Sequence, residues 1–141
     1  MSMPITLMYA SVFTLFALVL SFRAGSFRGK SGISVLFGDP SNMELAERVR
    51  AHQNFLEYVP MIVIVMGAIE LNGGSNMFLF WVGDLLFLAR IAHAVGLKHD
   101  NMAHKGRLIG AAGTALITVA VVGYGLWMAA PSIWMAVQDI L

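Results

Sequence analysis

Long runs of apolar residues, separated by short polar segments, dominate the pattern along this chain. No charged residue occurs before Arg23, and none occurs between Leu108 and Gln138. A helix needs about 20 apolar residues to cross a hydrocarbon core of roughly 30 Å. Both runs meet this length, and two further runs lie between them. The pattern predicts four membrane-spanning helices, over residues 3–23, 44–71, 77–97 and 106–129.

The segments between these spans carry residues that favour turns and helix starts. Residues 72–76 read Asn-Gly-Gly-Ser-Asn, which predicts a tight turn between the second and third spans. The first connection is the longest and ends at Ser41, which with Glu44 is typical of a capping box that opens the second helix. Four glycines suit an irregular loop in this connection: Gly25, Gly29, Gly32 and Gly38.

Composition supports a membrane protein and excludes several kinds of chemistry. Hydrophobic residues make up 58% of the chain and charged residues 12%, whereas soluble domains carry about 25% charged residues. The net charge of +1 predicts no nucleic-acid partner. With no cysteine, the chain has no disulfide, thiolate metal site or cysteine nucleophile. The predicted fold class is all-α, an integral membrane four-helix bundle.

The distribution of cations predicts the orientation in the membrane. With four spans, the first and third connections lie on one side, and the opposite side has no Lys or Arg. The positive-inside rule places the two basic connections in the cytosol and both termini on the non-cytosolic side. In a bacterium the expected location of the protein is the inner membrane. The cations on or near the basic side are Arg23, Arg28, Lys30, Arg48, Lys98, Lys105 and Arg107.

Ionisable residues concentrate in the second and third spans. Arg50, Asn54 and Glu57 fall at helical spacing and form one stripe. Arg90 and His93 share a face of the third helix. Charged groups at membrane depth are costly and usually face the bundle interior or a wet cavity. The pattern predicts a polar pocket near the cytosolic face.

A purely structural interpretation of the same residues stays open. Arg50 would extend to the interface, and Glu57 would pair with a cation, with Arg90 as one candidate that joins two helices. His93 alone is more often a helix-contact residue than a ligand, and the dispersed histidines predict no metal site. On the fourth helix, Gly106 and Gly110 favour close helix packing rather than phosphate binding.

Residues 47–60, Glu-Arg-Val-Arg-Ala-His-Gln-Asn-Phe-Leu-Glu-Tyr-Val-Pro, resemble the signature of the MAPEG family. This family comprises membrane-associated proteins in eicosanoid and glutathione metabolism. The resemblance continues through the segment Arg90-Ile91-Ala92-His93 and Arg107. It covers nearly the whole chain, and the similarity is greatest to bacterial members.

The resemblance implies a homotrimer that binds glutathione between neighbouring subunits near the cytosolic face. By the family pattern, Arg50 holds a glutathione carboxylate and Asn54 bonds the peptide backbone. Glu57 takes the ammonium of the γ-glutamyl end, and Tyr58 and His93 line the pocket. The second substrate is a lipophilic electrophile that enters from the membrane lipid.

The remaining site residues follow from the same resemblance. Arg107 matches the catalytic arginine that stabilises the glutathione thiolate, and the activity implied is that of a membrane-bound glutathione transferase or peroxidase. His52 lies almost opposite the stripe on its helix, so it would reach a site from the adjacent protomer. One basic residue of the first connection, Arg28 or Arg23, also reaches the ligand.

Two departures from the family keep other functions open. Several eicosanoid-forming relatives have tyrosines at the positions of Leu97 and Ala111, so this chain lacks hydroxyl donors that those enzymes use. A binding or structural protein that retains the glutathione site without catalysis is the second hypothesis. A small proton-coupled transporter is the third, suggested by Glu57, Asp84 and Arg90 within the spans.

Overall fold

The computed structural model describes residues 2–38 and 40–140 as four α-helices. The helices are α1 (Pro4–Ser31), α2 (Met43–Leu71), α3 (Asn76–Gly96) and α4 (Lys105–Gln138). All four are long and apolar enough to cross a membrane. The prediction of an all-helical chain with four helices capable of spanning a membrane is confirmed. Consecutive helices run in opposite directions, and we call the end with the α1–α2 and α3–α4 connections the basic end.

The first helix is longer than the sequence pattern predicts. Gly25 and Gly29 were expected in an irregular loop, but both lie inside α1, which ends at Ser31. The helix stops at Gly32, whose φ of 67° is left-handed and whose N–H donates to Arg28 O. A glycine inside a helix costs only about 1 kcal/mol relative to alanine. The loop prediction for residues 24–31 is therefore wrong, because continuous backbone hydrogen bonding outweighs that small cost.

The start of α2 and the end of α4 also differ from prediction. The residue that caps α2 is Asn42, whose side chain accepts from the Leu45 N–H at 3.0 Å. Ser41 therefore lies one residue too early to cap the helix, and the capping-box prediction is wrong. Helix α4 continues beyond residue 129 to Gln138 with Pro131 inside it. A proline removes one backbone donor, and here the helix continues past it.

Helices α3 and α4 pack most extensively, followed by α1 and α2. A Cβ added to Gly110 would lie 2.6 Å from Ala89 O, and one added to Gly106 would lie 2.9 Å from Ala92 O. Side chains at these positions would force the two backbones apart. The predicted role of the α4 glycines in close packing is confirmed.

An aromatic cluster fills the interior where α1, α2 and α3 meet. Phe16 packs edge-on against Phe55 and Phe87, with ring centroids 5.4 and 5.7 Å apart. Phe13 is buried beside them. Many apolar side chains on the outer faces remain exposed, among them Leu15 and Leu116. An apolar exterior over a packed core matches a surface in contact with lipid.

Polar contacts fasten the end of the bundle opposite the basic end. The Glu70 carboxylate accepts from the Ile5 and Thr6 N–H groups at 2.9 and 2.7 Å, so α2 satisfies the open start of α1. The Tyr9 hydroxyl donates to Asp84 Oδ1 at 2.6 Å. This contact accounts for Asp84, which lies apart from the basic end.

Candidate functional site

A polar groove opens at the basic end between α2, the end of α3 and the start of α4. Its volume is about 380 Å³. Four of the predicted site residues line it: Arg50, Asn54, His93 and Arg107. The other lining residues are Ala46, Glu47, Leu97, Lys98, His99 and Met102. The sequence stripe on α2 and the basic start of α4 therefore meet at one surface.

On α2, Arg50 forms an ion pair with Glu57 within the same helix. Arg50 Nη1 lies 2.6 Å from Glu57 Oε1, and Nη2 lies 3.3 Å from Oε2. The side chains are 52% and 45% exposed, so both can reach an external ligand. The alternative pair between Glu57 and Arg90 is wrong. Two turns of α2 bring Arg50 within reach of Glu57, whereas Arg90 is directed to other partners.

Arg90 lies behind the groove and joins three helices. It is 1% exposed. Its Nη2 donates to Asn54 Oδ1 on α2 at 2.7 Å, and its Nη1 donates to Thr114 Oγ1 on α4 at 3.3 Å. The guanidinium also lies 5.9 Å from the centroid of the Phe55 ring. The sequence pattern places Arg90 on the face of His93 but predicts no contact between Arg90 and a ligand.

His93 is wedged between α3 and α4 at the inner wall of the groove. The residue is 5% exposed, and a Cβ at Gly110 would overlap its backbone. Its Nδ1 is buried without a hydrogen-bond partner within residues 2–38 and 40–140. The absence of a side chain at Gly110 therefore lets the imidazole reach the groove wall.

Arg107 lies in the first turn of α4, where it faces the groove from the side opposite α2. His104 caps this helix, because its Nδ1 accepts from the Gly106 N–H at 3.2 Å. Among the described residues, the Arg107 guanidinium has no hydrogen-bond or ion-pair partner. A half-buried cation at a helix start, free of an internal partner, suits an anionic ligand.

The α3–α4 connection is anchored by Glu47, which is not among the predicted site residues. Its carboxylate lies 3.3 Å from Lys98 Nζ, accepts from the His99 N–H at 2.9 Å and lies 2.7 Å from His99 Nδ1. Glu47, His99 and Asp100 also place ligand atoms within 4.8 Å of one another. The Glu47 carboxylate already pairs with the Lys98 ammonium. The cluster is therefore better suited to anchoring the α3–α4 connection than to binding a metal ion.

Four predicted site residues do not line the groove: Glu57, Tyr58, His52 and Arg28. Tyr58 is 48% exposed, and His52 is half-buried on a different side of α2. Arg28, in the last turn of α1, donates to Leu36 O at 2.9 Å and to Ile33 O at 3.4 Å, so it holds the first connection in place. The structure of one chain therefore does not place Tyr58, His52 or Arg28 at the groove with Arg107. Glu57 is connected to the groove only through its ion pair with Arg50.

Glu47 could have been found from the sequence because it precedes Arg50 by three residues and Asn54 by seven, which places all three on one helix face. No comparable pattern in the sequence predicts that the groove is also lined by Lys98, His99 and Met102. They come from an irregular connection whose path is set by its contacts with α2.

The fold and the groove together define a polytopic four-helix membrane protein with a cation-rich pocket at one end. The model of the MAPEG family matches residues 6–137. The match covers nearly the entire chain, and the protein belongs to the MAPEG family.

Two curated relatives share part of this sequence. Inner membrane protein YecN of Escherichia coli strain K12 is 29% identical over 82 residues, which cover 58% of this chain and 63% of the relative. The protein of the same name from E. coli O6:H1 matches equally. The matched segment thus spans less than two thirds of these relatives. No solved structure matches the chain significantly.

Proposed function

We propose that this protein binds glutathione in the groove and transfers it to lipophilic electrophiles. The observation that carries this proposal is the convergence of Arg50, Asn54, His93 and Arg107 on one pocket. Glutathione brings two carboxylates, an ammonium and a thiol. The groove offers the Arg50 guanidinium for a carboxylate and the Arg107 guanidinium for the thiolate, and Glu57 beside Arg50 offers a carboxylate for the ammonium. The donor set therefore fits this ligand.

Glutathione supplies the thiol nucleophile, which a chain without cysteine lacks. In this mechanism Arg50 binds a carboxylate, and Asn54 bonds the peptide. Arg107 stabilises the thiolate, because a neighbouring guanidinium favours the charged form of a thiol and stays protonated itself. The electrophile reaches the groove from the adjoining lipid.

The proposal includes a homotrimer, which would complete the site. Glu57 and Tyr58 are exposed on a span of the single chain, where lipid contact would be unfavourable for charge. A neighbouring subunit that covers this face would bring in His52 or Arg28 from its own α2 or α1. The proposed topology places the basic end in the cytosol and the termini outside. The name of the E. coli relative supports the inner membrane as the location.

A binding protein without turnover is the second candidate. Leu97 lines the groove, so an apolar side chain stands where several relatives offer a tyrosine hydroxyl. Proton-coupled transport has less support, because Glu57 is paired with Arg50 and Asp84 accepts from Tyr9. These carboxylates already have partners within the chain.

Binding of glutathione to the detergent-purified protein, measured by calorimetry and thermal shift, tests the proposal. We expect saturable binding and a raised unfolding temperature, and conjugation to an aryl halide separates an enzyme from a binding protein. Arg50→Ala should weaken binding. Arg48→Ala is the matched control, because Arg48 is a cation on the same helix that pairs with Glu44 outside the groove. Absence of glutathione binding by the wild type would refute the proposal.

A further inference from the structure

The Arg90 side chain is buried behind the groove and contacts no ligand in the proposed site. A guanidinium that is 1% exposed lies within the membrane-spanning part of α3. Among the described residues it forms no ion pair, and its Nε is buried without a hydrogen-bond partner. A buried charge is costly unless hydrogen bonds compensate it. The two oxygens that Arg90 contacts therefore carry the compensation.

The contact between Arg90 and Asn54 determines which way the Asn54 amide faces. Arginine has donors and no acceptor, so the amide atom that meets it must be the carbonyl oxygen. The contact is short, at 2.7 Å from Nη2 to Oδ1. Asn54 also lines the groove, and in the described chain its Nδ2 has no hydrogen-bond partner. Its two N–H donors are left for whatever occupies the groove.

The other end of the guanidinium is held in the same manner. Thr114 Oγ1 donates to Gly110 O at 2.7 Å and accepts from Arg90 Nη1 at 3.3 Å. The hydroxyl proton is committed to the helix, so the oxygen is available only as an acceptor. Thr114 is buried. The planar guanidinium is thus held between α4 and the Asn54 amide.

We infer that Arg90 is a positioning residue that fixes the Asn54 amide with its oxygen inward and its NH₂ aimed into the groove. Asn54 then selects a ligand that presents a hydrogen-bond acceptor, a carbonyl or a carboxylate, at that point. The inference rests on the proposed function for the identity of the ligand as glutathione. The orientation of the amide does not depend on that identity.

A double-mutant cycle on glutathione affinity tests the positioning role. Arg90→Lys keeps the positive charge but cannot contact both Asn54 and Thr114. In the proposed site the Asn54 amide bonds the neutral peptide of glutathione, so Asn54→Ala should weaken binding by about three- to tenfold. Arg90→Lys should weaken it by a comparable factor. The double variant should bind no more weakly than Asn54→Ala alone, whereas multiplicative losses would overturn the inference.

A milder variant guards against misfolding of the Arg90 substitution. Thr114→Val removes one acceptor of Arg90 without altering the groove. We expect a loss of about two- to threefold in glutathione affinity, and no further loss when Thr114→Val is added to Asn54→Ala. If Thr114→Val weakens glutathione binding by the same factor in the Asn54→Ala variant, then Thr114 and Arg90 act independently of the amide, and the inference is overturned.

A ligand-free measurement separates this inference from the proposed function. Asn54→Asp keeps an acceptor for Arg90 but removes the NH₂, so its unfolding temperature should equal or exceed that of the wild type while its glutathione affinity falls. Asn54→Leu leaves Arg90 without that acceptor and should unfold at a lower temperature. If the wild type binds no glutathione while Asn54→Asp and Asn54→Leu still show the expected unfolding temperatures, the proposed function is refuted, and the orientation of the Asn54 amide is supported. Equal destabilisation by Asp and Leu would refute the orientation.

Discussion

The Arg50–Glu57 pair predicts how the protein recognises the ammonium of glutathione. In the free protein the two side chains neutralise each other, at 2.6 Å between Nη1 and Oε1. A ligand that brings both a carboxylate and an ammonium must separate them. Glu57→Gln removes the contact to the ammonium, but it also releases Arg50 for the ligand carboxylate. The two effects oppose each other.

The exposure of the pair sets the magnitude. Removing one partner of a buried, hydrogen-bonded charge pair costs about 2–5 kcal/mol, and about half of each side chain is exposed here, so the lower end applies. The internal pair that is lost contributes at most about 1 kcal/mol, as exposed pairs do. The net loss is about 1–1.5 kcal/mol, or roughly five- to tenfold in glutathione affinity. The stability of the free protein should change by less than about 1 kcal/mol.

Calorimetry with two ligands tests this account. Wild type should bind glutathione more tightly than glutathione acylated on its α-amine, which carries no ammonium. Glu57→Gln should bind the two ligands with similar affinity. Glu44→Gln is the matched control, since Glu44 pairs with Arg48 outside the groove. A Glu57→Gln protein that still prefers free glutathione by the wild-type factor would show that Glu57 does not contact the ammonium.

Three further predictions concern the thiol, the helix packing and the assembly. Arg107→Ala should raise the pKa of the bound glutathione thiol towards its free value, as measured by the ultraviolet absorbance of the thiolate during a pH titration. Arg107→Lys should restore only part of the wild-type pKa. An unchanged titration in Arg107→Ala would remove Arg107 from the mechanism. Gly110→Leu should destabilise the protein by about 1–3 kcal/mol or more through overpacking against Ala89 and His93. Gly123→Leu is the control: a side chain there meets open space, so this variant should unfold at nearly the wild-type temperature. Native mass spectrometry in mild detergent should show a trimer, and a stable monomer under all conditions would contradict an interface-bound ligand.

Local sequence determined the parts of this protein that depend on neighbouring residues. Four apolar runs produced four helices. The spacing of Arg50 and Asn54 placed them on one face, and both line the groove. The small residues Gly106 and Gly110 indicated where α4 approaches α3 closely. Periodicity and residue size are properties of a single segment, so they can be recognised before the segment has a neighbour.

Only the tertiary structure decides which of several possible hydrogen-bond or ion-pair partners a side chain contacts. Arg90 and Glu57 were plausible partners from their membrane depth, yet Glu57 pairs with Arg50 and Arg90 bonds Asn54. Helix ends were also uncertain, because Ser41 and Asn42 are both good caps and α1 continues through Gly25 and Gly29. A side chain with several possible partners bonds the one that the packed helices bring within about 3 Å. That distance depends on how α2, α3 and α4 lie against one another, which no single segment of the sequence specifies.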